Sequence, residues 1–269
     1  MIKFFRKIRQ DLLSTGKIGK YLKYAVGEII LVVIGILIAL SINNWNDNQN
    51  QLKQETTHLQ NIKNDLKAQI KTLDNYIEFQ NLIIEDSKNI IHHYENIGGF
   101  NKMDSIYPML NDLIVRTTFI NKNISLSEII NSSEINILKN KVLKRKLLEF
   151  NQSVLTFMNT TQNNNTNLID QLIVPTLAKN SNYATFGYTN GMNNFLEKNG
   201  GRENITYLKN NNLKNGLIQT FNDPKLSLEL INKVVIRYEL ASLQKIGNEN
   251  LKEQAKDILI AITKELDKK

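Results

Sequence analysis

Residues 24–42 read YAVGEIILVVIGILIALSI, one apolar run with basic residues before it and Trp45 just after it. A helix rises about 1.5 Å per residue and bilayer hydrocarbon is about 30 Å thick, so a run of this length just crosses. Between Ile29 and Ile42 there is no charge, and Ser41 is the only polar side chain. Unpaired backbone groups find no water in lipid, so the helix prevails there despite many β-branched residues. The run predicts a transmembrane helix whose first partner is the lipid bilayer. A cleaved signal peptide is the rival reading, with Ala39-Leu40-Ser41 as its cleavage site. The long lead before the apolar core and the interfacial Trp45 favour a retained anchor.

The flanks orient the span. Residues 1–28 carry Lys3, Arg6, Lys7, Arg9, Lys17, Lys20 and Lys23 against Asp11 and Glu28, a net of +5 out of +8 for the whole chain. Residues 43–60 offer only Lys53. The positive-inside rule then predicts an inner-membrane protein with a cytosolic N-terminus and a periplasmic C-terminal domain. Because most of the excess charge is topogenic, the basic balance does not argue for nucleic-acid binding. Residues 1–23 read as a basic amphipathic segment on the membrane surface, too short for a catalytic domain. Within the span, Glu28 is expected at the cytosolic headgroup level. Gly35 and Ala39 form a small-xxx-small pair that would suit self-association.

Residues 43–269 form the exported part, and the chain has no cysteine to cross-link it. Apolar residues recur in three- and four-residue steps: Leu59, Ile62, Leu66, Ile70, Leu73, Ile77, Ile83, Ile84, Ile90, Ile91 and Tyr94. That spacing predicts an amphipathic helix or coiled-coil seam continuing from the span, with Gly98-Gly99 as its end. Short helices are expected at 105–119 and 127–130. A second long helix is expected at 141–179, kinked or ended by Pro175. Residues 180–223 read as a loop-rich insertion with short helices near 203–221. A last helix follows Asp223-Pro224, with Leu228, Ile231, Val235, Tyr238, Leu243, Ile246, Leu251, Ala255, Ile258, Ile262 and Leu266 as its apolar face. Runs such as NNNTN at 163–167 read as an asparagine bias on exposed faces. Three amphipathic helices must bury their stripes together, so the fold class is all-α, an antiparallel helical bundle.

Chemistry is hard to find in this pattern. His58, His92 and His93 lack metal-ligand spacing, and no GxSxG, P-loop, GxGxxG or HExxH occurs. The reading is therefore non-enzymatic, with no cofactor and no metal. Arg145 and Arg237 fall beside apolar stripes and are expected to pair with carboxylates or hold an anion. The aromatic, glycine-punctuated stretch with Tyr183, Phe186, Tyr188 and Phe195 is the candidate partner surface. An envelope hydrolase with a site near 183–202 is the alternative function.

The run GEIILVVIGILIALSINNW at 27–45, preceded by MIKFFRKIRQDLL, resembles the N-terminus of a family of uncharacterised single-span bacterial membrane proteins. A second stretch, SLSEIINSSEINILKNKVLKRKLLEF at 125–150, resembles the same family, whose members typically show ELISSGNLNLIKN-x-LR. Ser132-Ser133-Glu134 replaces the family's usual Ser-Ser-Gly, a departure from the pattern at that turn. The resemblance implies an inner-membrane protein with a helical exported domain, and it brings no catalytic residues. The expected role is partner binding, scaffolding or ligand sensing by that domain.

Overall fold

A computed structural model describes residues 18–100, 105–181, 183–200 and 223–268, with Arg6 and Gln10 besides. The surface segment 1–23 therefore lies largely outside the described residues, as do Gly201, Arg202 and the short helices expected at 203–221. Every regular element among the described residues is helical. The chain divides into two compact units, residues 1–57 and 58–269.

The first unit is read from helix α1, Ile18–Ile97, which begins there. No described residue between Leu22 and Gln54 is buried. This helix is long and apolar enough to cross a membrane, with a mean hydropathy of 2.8 in its most apolar window. Leu31, Leu37 and Trp45 are all more than half exposed. Glu28 is half-buried and Ala39 exposed. Around Gly35, a methyl group would meet no other side chain within 4 Å.

The second unit packs three long helices. From Leu59 onward α1 buries the stripe expected of it, including Leu59, Ile62, Leu66, Leu73, Ile83 and Ile90. It stops at Gly98, whose φ of +73° and N–H bond to the Tyr94 carbonyl (2.8 Å) form a left-handed cap. The second long helix starts as α4, Lys141–Asn164, capped by the Asn140 side chain, which accepts from the N–H groups of Val142 and Leu143. It widens into a π-helical stretch, Asn165–Ile173, and continues as α5, Val174–Asn180. Pro175 does not end it, because the proline falls in the first turn after the π-helical stretch, where a missing N–H costs little. Helix α8, Pro224–Leu266, opens on an Asp223 cap with Pro224 at its first position.

Helix α8 runs antiparallel to both others. Against α1 it pairs Ser227 with Tyr94 and Gln244 with Gln80, and bonds Lys252 to Asp74. Against the second long helix it pairs Glu265 with Asn140 and Glu229 with Thr176. Helix α1 and the second long helix thus run in the same direction, joined by a crossover at 98–140. That crossover holds α2, Ile106–Asp112, and α3, Ile124–Asn131, then a 3-10 turn, Glu134–Ile137. Between α5 and α8 the described residues form α6, Tyr183–Phe186, and α7, Asn190–Gly200.

Three expectations are corrected. The helix expected over 105–119 ends at Asp112, and in the irregular stretch between it and α3 several backbone groups are bonded to side chains. Arg237 donates to the Leu113 and Val115 carbonyls, both at 3.0 Å. Tyr76 donates to the Thr118 carbonyl and accepts from the Ile120 N–H. Asn165 donates to the Thr117 carbonyl, while Gln69 and Asp65 accept from the N–H groups of Lys122 and Ser125. An irregular segment can be laid against a core only if its polar groups are satisfied in this way.

The second correction concerns α8. Leu251, Ala255, Ile258 and Ile262 face the core as expected, but Leu228, Val235, Leu243 and Ile246 are exposed. In that first half the core-facing positions include Ser227, Arg237, Gln244 and Asn248, whose polar groups answer needs inside the bundle. The third is that asparagine is not confined to exposed faces: Asn111, Asn123, Asn165 and Asn248 are buried.

Counted back from Asn140, the glycine of the resembled pattern ELISSGNLNLIKN falls on Ser133, not on Glu134. Ser133 has a φ of +63°, the left-handed conformation that glycine adopts freely, and it follows the C-terminus of α3.

Candidate functional site: a carboxyl pair under a clamp

Two carboxyl groups meet inside the second unit. Asp86 comes from α1 and Asp112 is the last residue of α2. Both are buried, and each acts on the other electrostatically. Two carboxylates this close do not both ionise at neutral pH, so the pair shares a proton. Burial first, then the hydrogen bond and negative charge of Asp112, pushes Asp86 up to about 9. Burial also raises Asp112, against donors from Thr189 that favour its charged form. Asp86 is accordingly the protonated partner.

Thr189 is the clamp over this pair. Its N–H donates to one Asp112 oxygen at 3.1 Å and its hydroxyl donates to the other. The same hydroxyl accepts from the Met192 N–H at 3.2 Å, so Thr189 also caps α7. Asn111, one residue before Asp112, donates to the Gly187 carbonyl and accepts from the Ser181 hydroxyl, both at 2.6 Å. Gly187 sits at a φ of +63°, which lets the chain turn there. Neighbouring Asn111 and Asp112 thereby fasten both ends of the 181–189 segment to the bundle. Gly191 approaches α1 so closely that a methyl group would lie 3.1 Å from Leu82.

The candidate aromatic residues lie around this clamp. Phe186 stacks on Tyr107 with ring centres 4.6 Å apart, and Phe195 is buried against Phe79 at 5.5 Å. Tyr188 is half-buried, and the Tyr183 side chain lies outside the described residues. The rings of Phe186 and Phe195 are thus used largely in internal packing.

The arginines behave differently from one another. Arg237 is fully buried, and its Nε and Nη2 donate to main-chain carbonyls, not to a carboxylate. Burial pulls its pKa down to about 9. Arg145 pairs along its own helix with Glu149 at 3.7 Å on the surface. Arg116 bonds Asp170 at 2.9 Å. His58 meets Glu134 at 3.3 Å, and His92 meets Asn96. Among the described residues no group of three or more His, Asp and Glu is set to hold a metal ion.

This arrangement stores a proton and pins a loop. Sequence reasoning missed the pair because Asp86, next to Glu85, looks like solvated charge on a helix face. The usable signal was Thr189 two residues before Gly191, a helix-capping residue inside a glycine-punctuated stretch.

Residues 28–150 match a family of unknown function, DUF6090. The match begins in the apolar run, just under half of the chain in extent, and ends in α4. It takes in Asp86 and Asp112 but not Thr189 or Arg237. It is a family of the kind that the stretches at 27–45 and 125–150 resemble. No curated protein and no solved structure matches the chain.

Proposed function

We propose that this chain is a single-pass inner-membrane protein whose periplasmic helical bundle binds a protein partner, scaffolds an assembly or senses a ligand, without catalysis of its own. The observation that carries the membrane part is the apolar stretch of α1 between Leu22 and Ile42, in which no residue is buried. So large a continuous apolar surface is costly in water and is covered naturally by lipid. The basic excess in residues 1–28 supports a cytosolic N-terminus. The non-catalytic reading is supported by where the buried charged groups are spent. Asp112 holds Thr189 and Arg237 holds the 113–115 backbone, both of them architectural tasks.

The absence of cysteine makes the topology directly testable, since any introduced thiol is the only one in the chain. Full-length protein carrying Asp267→Cys should react with a membrane-impermeant maleimide in right-side-out vesicles and not in sealed inverted ones. Labelling from the cytosolic side, or recovery of the protein in the soluble fraction, would overturn the topology. For activity, the purified full-length protein is expected to show no hydrolytic turnover on ester, peptide and phosphoester panels. Turnover abolished by Asp112→Asn would replace the binding role with the envelope-hydrolase alternative.

A further inference from the structure

The bundle's core consists of two apolar clusters with a polar layer between them. On α1, Leu73 and Tyr76 belong to the first cluster and Phe79 and Ile83 to the second. On α8, Leu251 and Ala255 belong to the first and Leu240 and Ala241 to the second. Gln80, Gln244, Asn248 and Thr161 sit at the junction, each more than nine-tenths buried. Gln80 donates to Gln244 at 2.9 Å, and that bond leaves four polar atoms without a protein partner: Gln80 Oε1, Gln244 Nε2, Asn248 Oδ1 and Thr161 Oγ1. All four side chains line one cavity of about 10 Å³, closed in part by the rings of Tyr76 and Phe157.

We propose that this cavity is a binding site for one internal water molecule that joins α1, α4 and α8. The volume is about that needed for a single water, and such a water requires two to four polar partners. Here it has four. It donates to Gln80 Oε1 and Asn248 Oδ1 and accepts from Gln244 Nε2 and the Thr161 hydroxyl, which completes a tetrahedral set. The assignment does not depend on which way the two glutamine amides are turned. Turning both over reverses their mutual bond but still leaves one oxygen and one NH2 group facing the cavity. No lining side chain is charged, so the site selects a neutral ligand over a cation. Phe157 also lines the surface groove beside Thr156 and Gly247, so its ring is the wall between the water and bulk solvent.

The test uses the full-length chain in detergent micelles. A crystal structure that resolves ordered solvent should show one density peak within hydrogen-bonding distance of these four atoms. Asn248→Leu puts methyl groups where the water sits and strands the other three polar atoms. Its Tm should fall by about 3–6 °C, while Thr161→Ser, which keeps the hydroxyl, should melt within about 1 °C of wild type. Three results overturn the proposal. One is an Asn248→Leu protein that melts above wild type, the behaviour of a dry hole relieved of an unmet polar atom. Another is density in which the four side chains pair with one another and leave no peak. The third is a Tm that depends on K⁺ or Na⁺ at constant ionic strength and is lost in Asn248→Leu, which would make the site a cation site. Should Asn248→Leu fail to fold, the density decides alone.

Discussion

The two apolar clusters of the bundle come from the same three helices, yet they are stabilised differently. The first, around Leu66, Leu147, Phe150 and Ile258, is helix stripe against helix stripe, with Phe119, Leu126 and Leu138 from the crossover filling its side. The second, around Phe79, Leu110, Ile173 and Leu230, encloses ionisable groups as well: Arg237 and the Asp86–Asp112 pair. Irregular backbone borders both clusters: Tyr76 and Gln69 hold it at the first, and the buried Arg237 holds it at the second. The first end therefore rests on burial and neutral polar bonds, the second on burial plus bonds from fully buried ionisable groups.

The strongest way to break this contrast is at Arg237. Arg237→Ala removes donors to one buried and one half-buried carbonyl and leaves a large hole, so stability should drop by about 3–5 kcal/mol. Leu66→Ala, at an equally buried site of the first cluster, should cost about 3 kcal/mol through lost transfer energy and a cavity alone. The discriminating comparison is Arg237→Met. It restores most of the volume but none of the bonds and should recover less than half of the loss, as read by urea midpoints on full-length protein in detergent. Full recovery would mean that the second cluster is held by packing like the first.

This difference also explains what could be read from the sequence. The three long helices, their ends at Gly98 and Asn140, and the start at Pro224 were legible because period, caps and breakers are local signals. The stripe of α1 was legible for the same reason. The register of the first half of α8 was not. Periodicity assigns Leu243 and Ile246 inward, whereas the structure faces Arg237, Gln244 and Asn248 inward, and their partners are Val115, Gln80 and a cavity far away in sequence. The Asp86–Asp112 pair was hidden likewise, since a proton shared across 26 positions has no spacing rule.

The next effect is pH dependence, which below pH 9 is expected from the carboxyl pair of the second cluster. Asp86 is raised to about 9 in the fold, against about 4 in an unfolded chain. The folded state therefore binds more protons than the unfolded state between those values. Its contribution is fully present below pH 4 and is lost as pH rises towards 9. Asp86→Asn retains a donor to Asp112 but cannot ionise. Its urea midpoint should match wild type near pH 4, exceed it near pH 8, and vary less in between. A wild-type midpoint that is flat or rises from pH 5 to 9 would show that the carboxyl pair is not the dominant titrating element.

A smaller effect tests the polar layer where the two clusters join. Gly247 lies in the middle of α8, where glycine is about 1 kcal/mol worse than alanine. Helix propensity alone predicts that Gly247→Ala stabilises. The structure predicts the reverse, because the added methyl would collide with the Phe157 ring seated on that glycine. Displacing the ring should cost about 1–3 kcal/mol in total. Combining it with Phe157→Leu, which clears space, should return part of that loss.

The smallest effect lies at the edge of the first cluster, where one backbone angle is strained. Ser133 ends α3 in the left-handed conformation, with its N–H bonded to the Ile130 carbonyl at 3.2 Å and its own carbonyl accepting from Asn136. That conformation costs a residue with a side chain about 1–2 kcal/mol and costs glycine almost nothing. Glycine loses part of this advantage through the greater freedom of its unfolded chain. Ser133→Gly should therefore stabilise by about 0.5–1 kcal/mol, a rise in Tm of about 2–3 °C. It should do so without altering the pH profile, since Asp86 and Asp112 lie in the other cluster. Ser133→Ala keeps the strain and should gain nothing. Equal Tm values for the glycine and alanine variants would locate the cost in the serine hydroxyl and not in the backbone angle.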